Sequence, residues 1–189
     1  MNKCLHLTEI PEKYKDSEKY RVFKRGATSI VIEDLNSSDK LLMFTRDYFK
    51  AEYYIHILDF KYIDSYFSRE HPIRELHNYL INIIEVPRLE KISRKEHNQI
   101  FKSVYPIIDK NLLFNKDTEN VHKQTIVKLM DELGEDHLLY DYLTYLSNYS
   151  DWRFDIKTDS ILKHSITQER FVIDLTIPKF LLELNHDYT

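Results

Sequence analysis

Glycine and cysteine are scarce in this 189-residue chain. Two glycines, Gly26 and Gly134, serve the whole sequence, so a phosphate-binding loop built from several glycines is excluded. The same scarcity excludes the G-x-S-x-G turn that exposes the nucleophile of many serine hydrolases. The single cysteine, Cys4, excludes an intramolecular disulfide framework.

The chain also lacks an excess of one charge and any long apolar run. Its formal net charge is −4 with both signs interspersed, which gives no basic footprint for nucleic acid. No apolar run approaches the roughly 20 residues of a membrane span, and the polar start is unlike a secretory signal. The nine histidines have no zinc-site spacing. We therefore expect a cytoplasmic protein that binds neither nucleic acid nor membrane.

The first half of the sequence predicts a small antiparallel sheet. Residues 21–33 place β-branched and aromatic side chains on both sides of Gly26, which indicates a strand, a tight turn and a second strand. Residues 40–45 predict a third strand, and residues 80–86 predict another that stops at Pro87. Between these, the three- and four-residue spacing of aromatic and apolar side chains predicts an amphipathic helix over residues 46–60.

The second half changes character and is predominantly helical in pattern. Helices are predicted over residues 93–109, 118–133 and 136–148, with Gly134 at a helix C-terminus. A short strand is predicted over residues 171–174, and the tail from 178 to 184 reads as a last short helix. We expect residues 1–19 to form a loosely packed polar leader, followed by an N-terminal lobe over 20–90 and a helical C-terminal lobe over 91–189. The predicted fold class is α+β.

One segment resembles the active-site loops of protein kinases. It runs Trp152-Arg-Phe-Asp155-Ile-Lys157-Thr-Asp159-Ser160 and is followed by Phe171-Val-Ile-Asp174. This is similar to the H-R-D-L-x-x-x-N catalytic loop and the strand that ends in D-F-G. The resemblance implies that Asp155 orients the acceptor hydroxyl, Lys157 stabilises the transferring phosphoryl group, and Asp174 holds Mg²⁺.

The first half resembles the kinase N-terminal lobe in the order of its parts. The residues Gly26, Ala27, Thr28 and Ser29 look like a reduced phosphate-covering loop. Glu52 falls on the helix where kinases carry a partner glutamate, and Glu85 and Val86 occupy the place of the hinge that meets an adenine edge. The resemblance therefore implies a two-lobed kinase-like fold that binds ATP with Mg²⁺.

The chain departs from the kinase pattern at the third strand. Met43 or Thr45 stands where the family has its phosphate-pairing lysine. Lys40, Arg46 and Lys50 are nearby cations that can be considered as replacements, although each is more simply explained as a surface charge.

The catalytic segment departs from the pattern as well. Ser160 stands in place of the second metal ligand, with Asp159 as a substitute, and Leu175 and Thr176 replace Phe-Gly. Only thirteen residues follow Thr176, so an activation segment and a peptide-substrate platform are not expected.

Without these parts, the chain resembles the compact kinase-like proteins of bacteriophages. The leading hypothesis is transfer of phosphate to serine or threonine hydroxyls of a host protein, in the host cytoplasm. The alternative is a pseudokinase that binds and inhibits a host factor without catalysis, and a binding module with no nucleotide site comes third. A cluster of tyrosines, Tyr140, Tyr142, Tyr145 and Tyr149, is a further candidate for a protein-binding face.

Overall fold

The computed structural model of the chain describes residues 5–26, 28–37, 39–67, 80–108, 119–148, 152–154, 159–173 and 176–178. The chain divides into two compact units, Met1–Arg88 and Leu89–Thr189. Each unit combines helices with antiparallel strands, so the protein is of mixed α+β class.

The first unit is built on a five-stranded antiparallel sheet with the strand order β1-β2-β3-β5-β4. The predicted strands on both sides of Gly26, over residues 40–45 and over residues 80–86 are all present. The bounds of the strands are Tyr20–Arg25 for β1, Ser29–Asp34 for β2, Lys40–Thr45 for β3, Lys61–Phe67 for β4 and Leu80–Pro87 for β5.

Helix α1 spans Tyr48–His56 and follows β3 directly. It begins where the Asp47 carboxylate accepts a hydrogen bond from the backbone N–H of Lys50 at 3.0 Å, which satisfies one of the free donors of the first turn. The helix is shorter than the predicted 46–60, because the chain turns at Asp59, whose φ is +53°. Aspartate adopts this left-handed conformation more readily than most residues.

Strand β4 was not predicted. It pairs with β5 at one edge of the sheet, and a bulge lies between Tyr62 and Asp64. The bulge breaks the two-residue alternation by which a strand is recognised in a sequence.

The first face of the sheet carries a continuous apolar core. Its buried strand residues are Ile30, Ile32, Phe44, Ile81 and Ile83. The N-terminal segment covers this face: Leu5 and Ile10 are buried in the same cluster, and the Tyr14 ring packs edge-on against Phe44 at 5.2 Å between centroids. The expectation of a loosely packed leader is therefore wrong for the described residues 5–19, which turn over the sheet through two short 3₁₀ helices.

A buried ion pair holds this segment in place. The Arg46 guanidinium pairs with the Glu9 carboxylate, and both side chains are almost completely buried, at 8% and 0% exposure. Glu9 also accepts a hydrogen bond from the backbone N–H of His6 at 2.9 Å. Arg46 is therefore a buried charge, and the prediction that it is a surface charge is wrong.

A second buried carboxylate, Glu33, connects the other end of the sheet. It accepts hydrogen bonds from Arg88 at 2.7 Å and from Arg21, and these two partners hold the pKa of the Glu33 carboxyl below its ordinary value. Arg88 also lies over the Phe23 ring and donates its backbone N–H to Asp39 at 3.1 Å. The last residue of the first unit is therefore tied to β1, β2 and the start of β3.

The second unit contains helices and two small sheets. Strands β6, β8 and β9 form an antiparallel sheet in the order β6-β8-β9, and β7 pairs with β10. The strands are Leu89–Lys91 for β6, Trp152–Phe154 for β7, Ile161–His164 for β8, Arg170–Val172 for β9 and Thr176–Pro178 for β10. The helices are Arg94–Phe101 for α2, Glu119–Leu133 for α3 and Tyr140–Ser147 for α4.

The predicted helices are present but two are shorter than expected. Helix α2 ends at Phe101 and the chain continues in turns before Pro106, which cannot donate to a helix. On α4, Tyr142 and Tyr145 are buried at 5% and 8% exposure, so these two tyrosines pack internally and do not form an exposed face. Among the described helices, none is long and apolar enough to cross a membrane. The predicted tail helix extends into residues 179–184, which lie outside the described residues.

The Glu9–Arg46 pair generates a stability prediction. Glu9→Gln removes the carboxylate that balances a buried guanidinium, and we expect the free energy of unfolding to fall by about 3–5 kcal/mol. The measurement is urea unfolding followed by circular dichroism. The matched control is Glu12→Gln, because the Glu12 side chain is 87% exposed beside Lys15, and we expect it to change stability by less than about 0.5 kcal/mol. Equal losses in the two variants would show that the buried pair is not important.

The start of α2 generates a second prediction. The Glu96 carboxylate accepts from the Ser93 hydroxyl at 2.7 Å, from the Ser93 backbone N–H at 3.0 Å and from Arg170 at 3.1 Å. These bonds, the Ser93 hydroxyl first, lower the pKa of Glu96 from 4.5 to about 2. Because the folded pKa is depressed, this stabilisation is complete above pH 4.5 and is lost as the pH falls towards 2.

We expect Ser93→Ala to raise the pKa of Glu96 towards its ordinary value of 4.5. Carboxyl ¹³C chemical shifts followed from pH 6 downward measure this pKa directly. The control is Ser103→Ala, an exposed serine in the turns after α2, which leaves the Glu96 titration unchanged. The same titration midpoint in Ser93→Ala and wild type would contradict the prediction.

Candidate functional site

The residues predicted to carry the chemistry fall in both units. In the second unit, Asp155, Lys157 and Asp174 lie outside the described residues, and in the first unit Ala27 does too. The other predicted site residues are described: Gly26, Thr28, Ser29, Glu52, Glu85, Val86 and Ser160.

The described residues that border the two aspartates are paired with each other. Phe154, which precedes Asp155, lies directly opposite Thr176 in the β7–β10 ladder. Thr176 is two positions after Asp174. Cα atoms that are directly opposite in an antiparallel pair lie about 4.5–5.5 Å apart. Phe154 comes just before the segment that contains Asp155, and Thr176 comes just after the one that contains Asp174. These two segments are therefore joined at one end by the β7–β10 ladder.

The other ends of these segments are also joined. The Ile173 backbone N–H, next to Asp174, donates to the Ser160 carbonyl at 2.8 Å. This bond continues the β8–β9 hairpin, in which Ile161 lies opposite Val172. Two backbone pairings therefore bracket the segments that contain Asp155 and Asp174.

Ser160, the residue in the second metal-ligand position, is fully buried at 0% exposure. Its neighbour Asp159 is half-buried. A carboxylate is also a stronger ligand for Mg²⁺ than a hydroxyl. Of the two residues, Asp159 is therefore the stronger candidate for an oxygen ligand.

In the first unit, the turn between β1 and β2 is closed by backbone hydrogen bonds. The Gly26 N–H donates to the Ser29 carbonyl at 2.8 Å, and the Thr28 carbonyl accepts from the Arg46 N–H at 2.9 Å. The second bond ties the turn to the residue that follows β3. The predicted phosphate-covering residues are thus held against the end of β3.

Thr45, one of the two residues predicted to replace the kinase lysine, is completely buried. Its hydroxyl accepts from the Ser29 hydroxyl at 2.9 Å and from the Asp47 N–H at 3.1 Å, and it donates to the Thr28 carbonyl at 3.3 Å. Met43, two residues earlier on the same face, is buried as well. Thr45 therefore connects the turn, β3 and the start of α1.

Two of the three candidate replacement cations are engaged by carboxylates. The Lys40 ammonium lies 2.6 Å from Glu85, and Arg46 is paired with buried Glu9. Lys50 lies on α1 and is half-buried. Lys40 and Arg46 are thus both neutralised by carboxylates of the first unit.

The remaining predicted residues have the following surroundings. Glu52 is half-buried on α1, with a carboxylate oxygen 3.4 Å from the His56 ring nitrogen. Glu85 is paired in register with β3 and β4, whereas Val86 has a partner on β3 and lies beyond the β4 ladder, which begins at Glu85. Among the described residues, the β4 side of β5 therefore opens at Val86, the predicted hinge.

Sequence reasoning missed Asn82 and Ser65, two polar residues at the same end of the sheet as the Gly26 turn. Asn82 lies directly opposite Thr45 on one side and Ser65 on the other. A signal was present, since Asn82 is the one strongly polar residue in the otherwise apolar run Leu-Ile-Asn-Ile-Ile. Its meaning depends on strand register, which the sequence does not show.

Comparison with known proteins adds no relative: no protein-family model and no curated protein matches this chain. The functional interpretation consequently depends on the sequence resemblance and on the geometry of the two units.

The hydrogen bonds of Thr45 generate a prediction. Thr45→Val keeps the shape of the side chain and leaves its three polar partners without the hydroxyl, so we expect the free energy of unfolding to fall by about 1–3 kcal/mol. Thr144→Val is the matched control, because Thr144 is exposed on α4. Chemical denaturation measures both variants. A loss in Thr45→Val no larger than that of the control would contradict the assigned role.

Proposed function

We propose that the chain is a divergent kinase-like protein that binds ATP with Mg²⁺ and transfers phosphate to a serine or threonine hydroxyl of a host protein. The observation that carries the proposal is the bracketing of the two aspartate segments. The Phe154–Thr176 pair closes one end, and the Ser160–Ile173 hydrogen bond closes the other. Kinase chemistry needs two carboxylates from separate segments at one reacting centre.

The element order of the first unit supports the same proposal. Two strands joined at Gly26 are followed by a third strand, a helix and two further strands. This is the order in which kinases place the phosphate-covering hairpin, the lysine strand, the helix with its glutamate and the hinge strand. Glu52 lies on that helix, and the sheet edge opens at Val86.

Within the proposal, each group of the catalytic segment has a distinct task. Asp155 would orient the acceptor hydroxyl, and Lys157 would stabilise charge on the transferring phosphoryl group. Asp174 would hold Mg²⁺, and Asp159 is the candidate for a second oxygen donor. The metal, when bound, would neutralise negative charge on the phosphates.

The alternative is a pseudokinase that binds and inhibits a host factor, and one observation favours it. Thr45 in the lysine slot is neutral, while Lys40 and Arg46 are held by Glu85 and Glu9. Phosphate transfer without a positioned cation on the third strand would be slow. Binding to a partner needs no such cation.

The test is a thermal-shift titration with ATP in the presence and absence of Mg²⁺. A ligand that binds only the native state raises its stability by RT ln(1 + [L]/Kd), so we expect a Mg²⁺-dependent rise in Tm for wild type. Asp174→Asn removes one charge of the proposed metal ligand and should abolish the Mg²⁺-dependent part. Asp131→Asn, an exposed aspartate on α3, is the matched control and should behave like wild type.

Unchanged Mg²⁺-dependent binding in Asp174→Asn would contradict the enzymatic assignment. The two functions are then separated with radiolabelled ATP and host lysate. Phosphate incorporation that requires Asp155 supports the kinase. Capture of a host protein that survives the double change Asp155→Ala with Asp174→Ala, without incorporation, supports the pseudokinase.

A further inference from the structure

A buried polar cluster lies beneath the N-terminal segment of the first unit. This segment, residues 5–14, which we call the strap, packs on the first face of the sheet through apolar side chains. The strap contributes Glu9 and His6 to the cluster. The sheet side contributes Arg46, which follows β3, and Tyr66 of β4. The cluster is therefore formed by two pieces of chain that separate when the strap lifts.

Register places Arg46 and Tyr66 on the two sides of one residue of β5. Tyr66 lies opposite Ile81. Thr45 lies opposite Asn82, so Arg46, the next residue, is level with Ile81. Burial raises the pKa of the Tyr66 phenol above its ordinary value of 10.0, and the nearby charge of Arg46 opposes this shift. The phenol is therefore protonated at neutral pH, and it lies near the guanidinium as a second hydrogen-bond donor.

The Glu9 carboxylate does not satisfy all the polar groups of the cluster. Its Oε1 atom pairs with Arg46, and its Oε2 atom accepts from the His6 backbone N–H at 2.9 Å. The Tyr66 hydroxyl is buried and has no hydrogen-bond partner among the described residues, and the same is true of the His6 Nε2 atom. Buried polar atoms without partners are rare in proteins, and they destabilise the arrangement that buries them. Hydrogen-bonding capacity is thus left over on both sides of the closed strap.

A phosphate group matches the donors that the sheet side presents. Arginine binds carboxylates and phosphates with the same fork of N–H donors, so an external phosphate can take the place of a side-chain carboxylate. A carboxylate has two oxygens, whereas a phosphate monoester has three strong acceptor oxygens. A phosphate monoester can therefore accept from the Arg46 guanidinium and from the Tyr66 hydroxyl at the same time.

We propose that Arg46 and Tyr66 form a binding site for a phosphate monoester, and that Glu9 is the tethered anion that occupies the site while the strap is closed. The external ligand binds only when the strap is open, so it shifts the population towards the open state. The monoester belongs either to a nucleotide or to a phosphorylated side chain, and the phosphate is the group that both share. This site does not depend on the proposed transfer of phosphate.

The first experiment removes the Tyr66 hydroxyl. Tyr66→Phe deletes a buried hydroxyl that has no partner while the strap is closed, so we expect the Tm of the ligand-free protein to stay the same or rise. Calorimetric titration with O-phosphoserine and with AMP should show binding at least about 10-fold weaker than in wild type, a loss of about 1.4 kcal/mol. The matched control is Tyr62→Phe, because Tyr62 is 46% exposed on the same strand, and it should change neither quantity.

The second experiment tests the strap. Glu9→Gln removes the competing anion, so we expect both monoesters to bind at least about 10-fold more tightly than to wild type. Hydrogen exchange reports on opening in wild type itself, because the Ile10 N–H of the strap donates to the Leu7 carbonyl at 3.2 Å. This amide should exchange faster when a monoester is added, whereas the amide of Phe44 in the central strand β3 should keep its rate.

Weaker binding of O-phosphoserine alone by Tyr66→Phe identifies a phosphorylated side chain as the ligand, and weaker binding of AMP alone identifies a nucleotide. Either result supports the site, as does weaker binding of both. Equal affinity of Tyr66→Phe and wild type for both monoesters would overturn the proposal. So would a lower Tm of ligand-free Tyr66→Phe, which would show that a buried water already satisfies the hydroxyl.

Unchanged exchange of the Ile10 amide when either monoester is added would also overturn the proposal, as would binding of neither monoester to any variant. Wild type and Tyr66→Phe provide these readouts without Glu9→Gln, so they do not depend on the stability of that variant. Mg²⁺-dependent ATP binding that requires Asp174 is a separate measurement, and its failure would overturn the proposed function while leaving the phosphate site of the first unit intact.

Discussion

The buried ion pair between Glu9 and Arg46 is the constraint on which the first unit depends. A charge removed from water must be balanced locally, so the N-terminal segment cannot leave the sheet without exposing or stranding the guanidinium. The backbone N–H of Arg46 also donates to the Thr28 carbonyl. Its neighbour Thr45 bonds to the Gly26 turn, and its neighbour Asp47 caps α1. A single residue after β3 thus connects the apolar face, the Gly26 turn and the helix.

This arrangement separates two tasks on the two faces of one sheet. The first face is closed by Leu5, Ile10 and Tyr14 and supplies hydrophobic stabilisation. The second face carries Ser29, Thr45, Asn82 and Ser65 beside buried Met43 and Ile84. Because Arg46 is paired with Glu9, the second face has neutral hydrogen-bonding groups where it meets the end of β3.

In the second unit, backbone pairing has the corresponding role. The strands that pair are short. β7 and β10 border the two segments that contain Asp155 and Asp174 at one end, and β8 and β9 border them at the other. The Glu96 carboxylate adds a connection between the start of α2 and Arg170 of β9. The segment that resembles a catalytic loop is thus bordered by hydrogen-bonded structure on both sides.

The sequence by itself determined the elements that have clear periodicity or clear boundaries. Strands β1, β2, β3 and β5, helix α1 and the helical second half follow from local patterns, because side-chain alternation and caps act within a few residues. The spacing between Asp155 and Asp174 is likewise read directly from the sequence. Strand β4 was missed, since its bulge interrupts the alternation, and so was the packing of residues 5–19.

Only the tertiary structure decided the features that require two distant segments to meet. The charge on Glu9 looks exposed in the sequence until Arg46 is placed beside it, and Asn82 has no meaning until register sets it between Thr45 and Ser65. Register and ion pairing are long-range, and a shift of one residue in the pairing of β5 would turn Asn82 to the other face. Composition and local spacing carry no information about that choice.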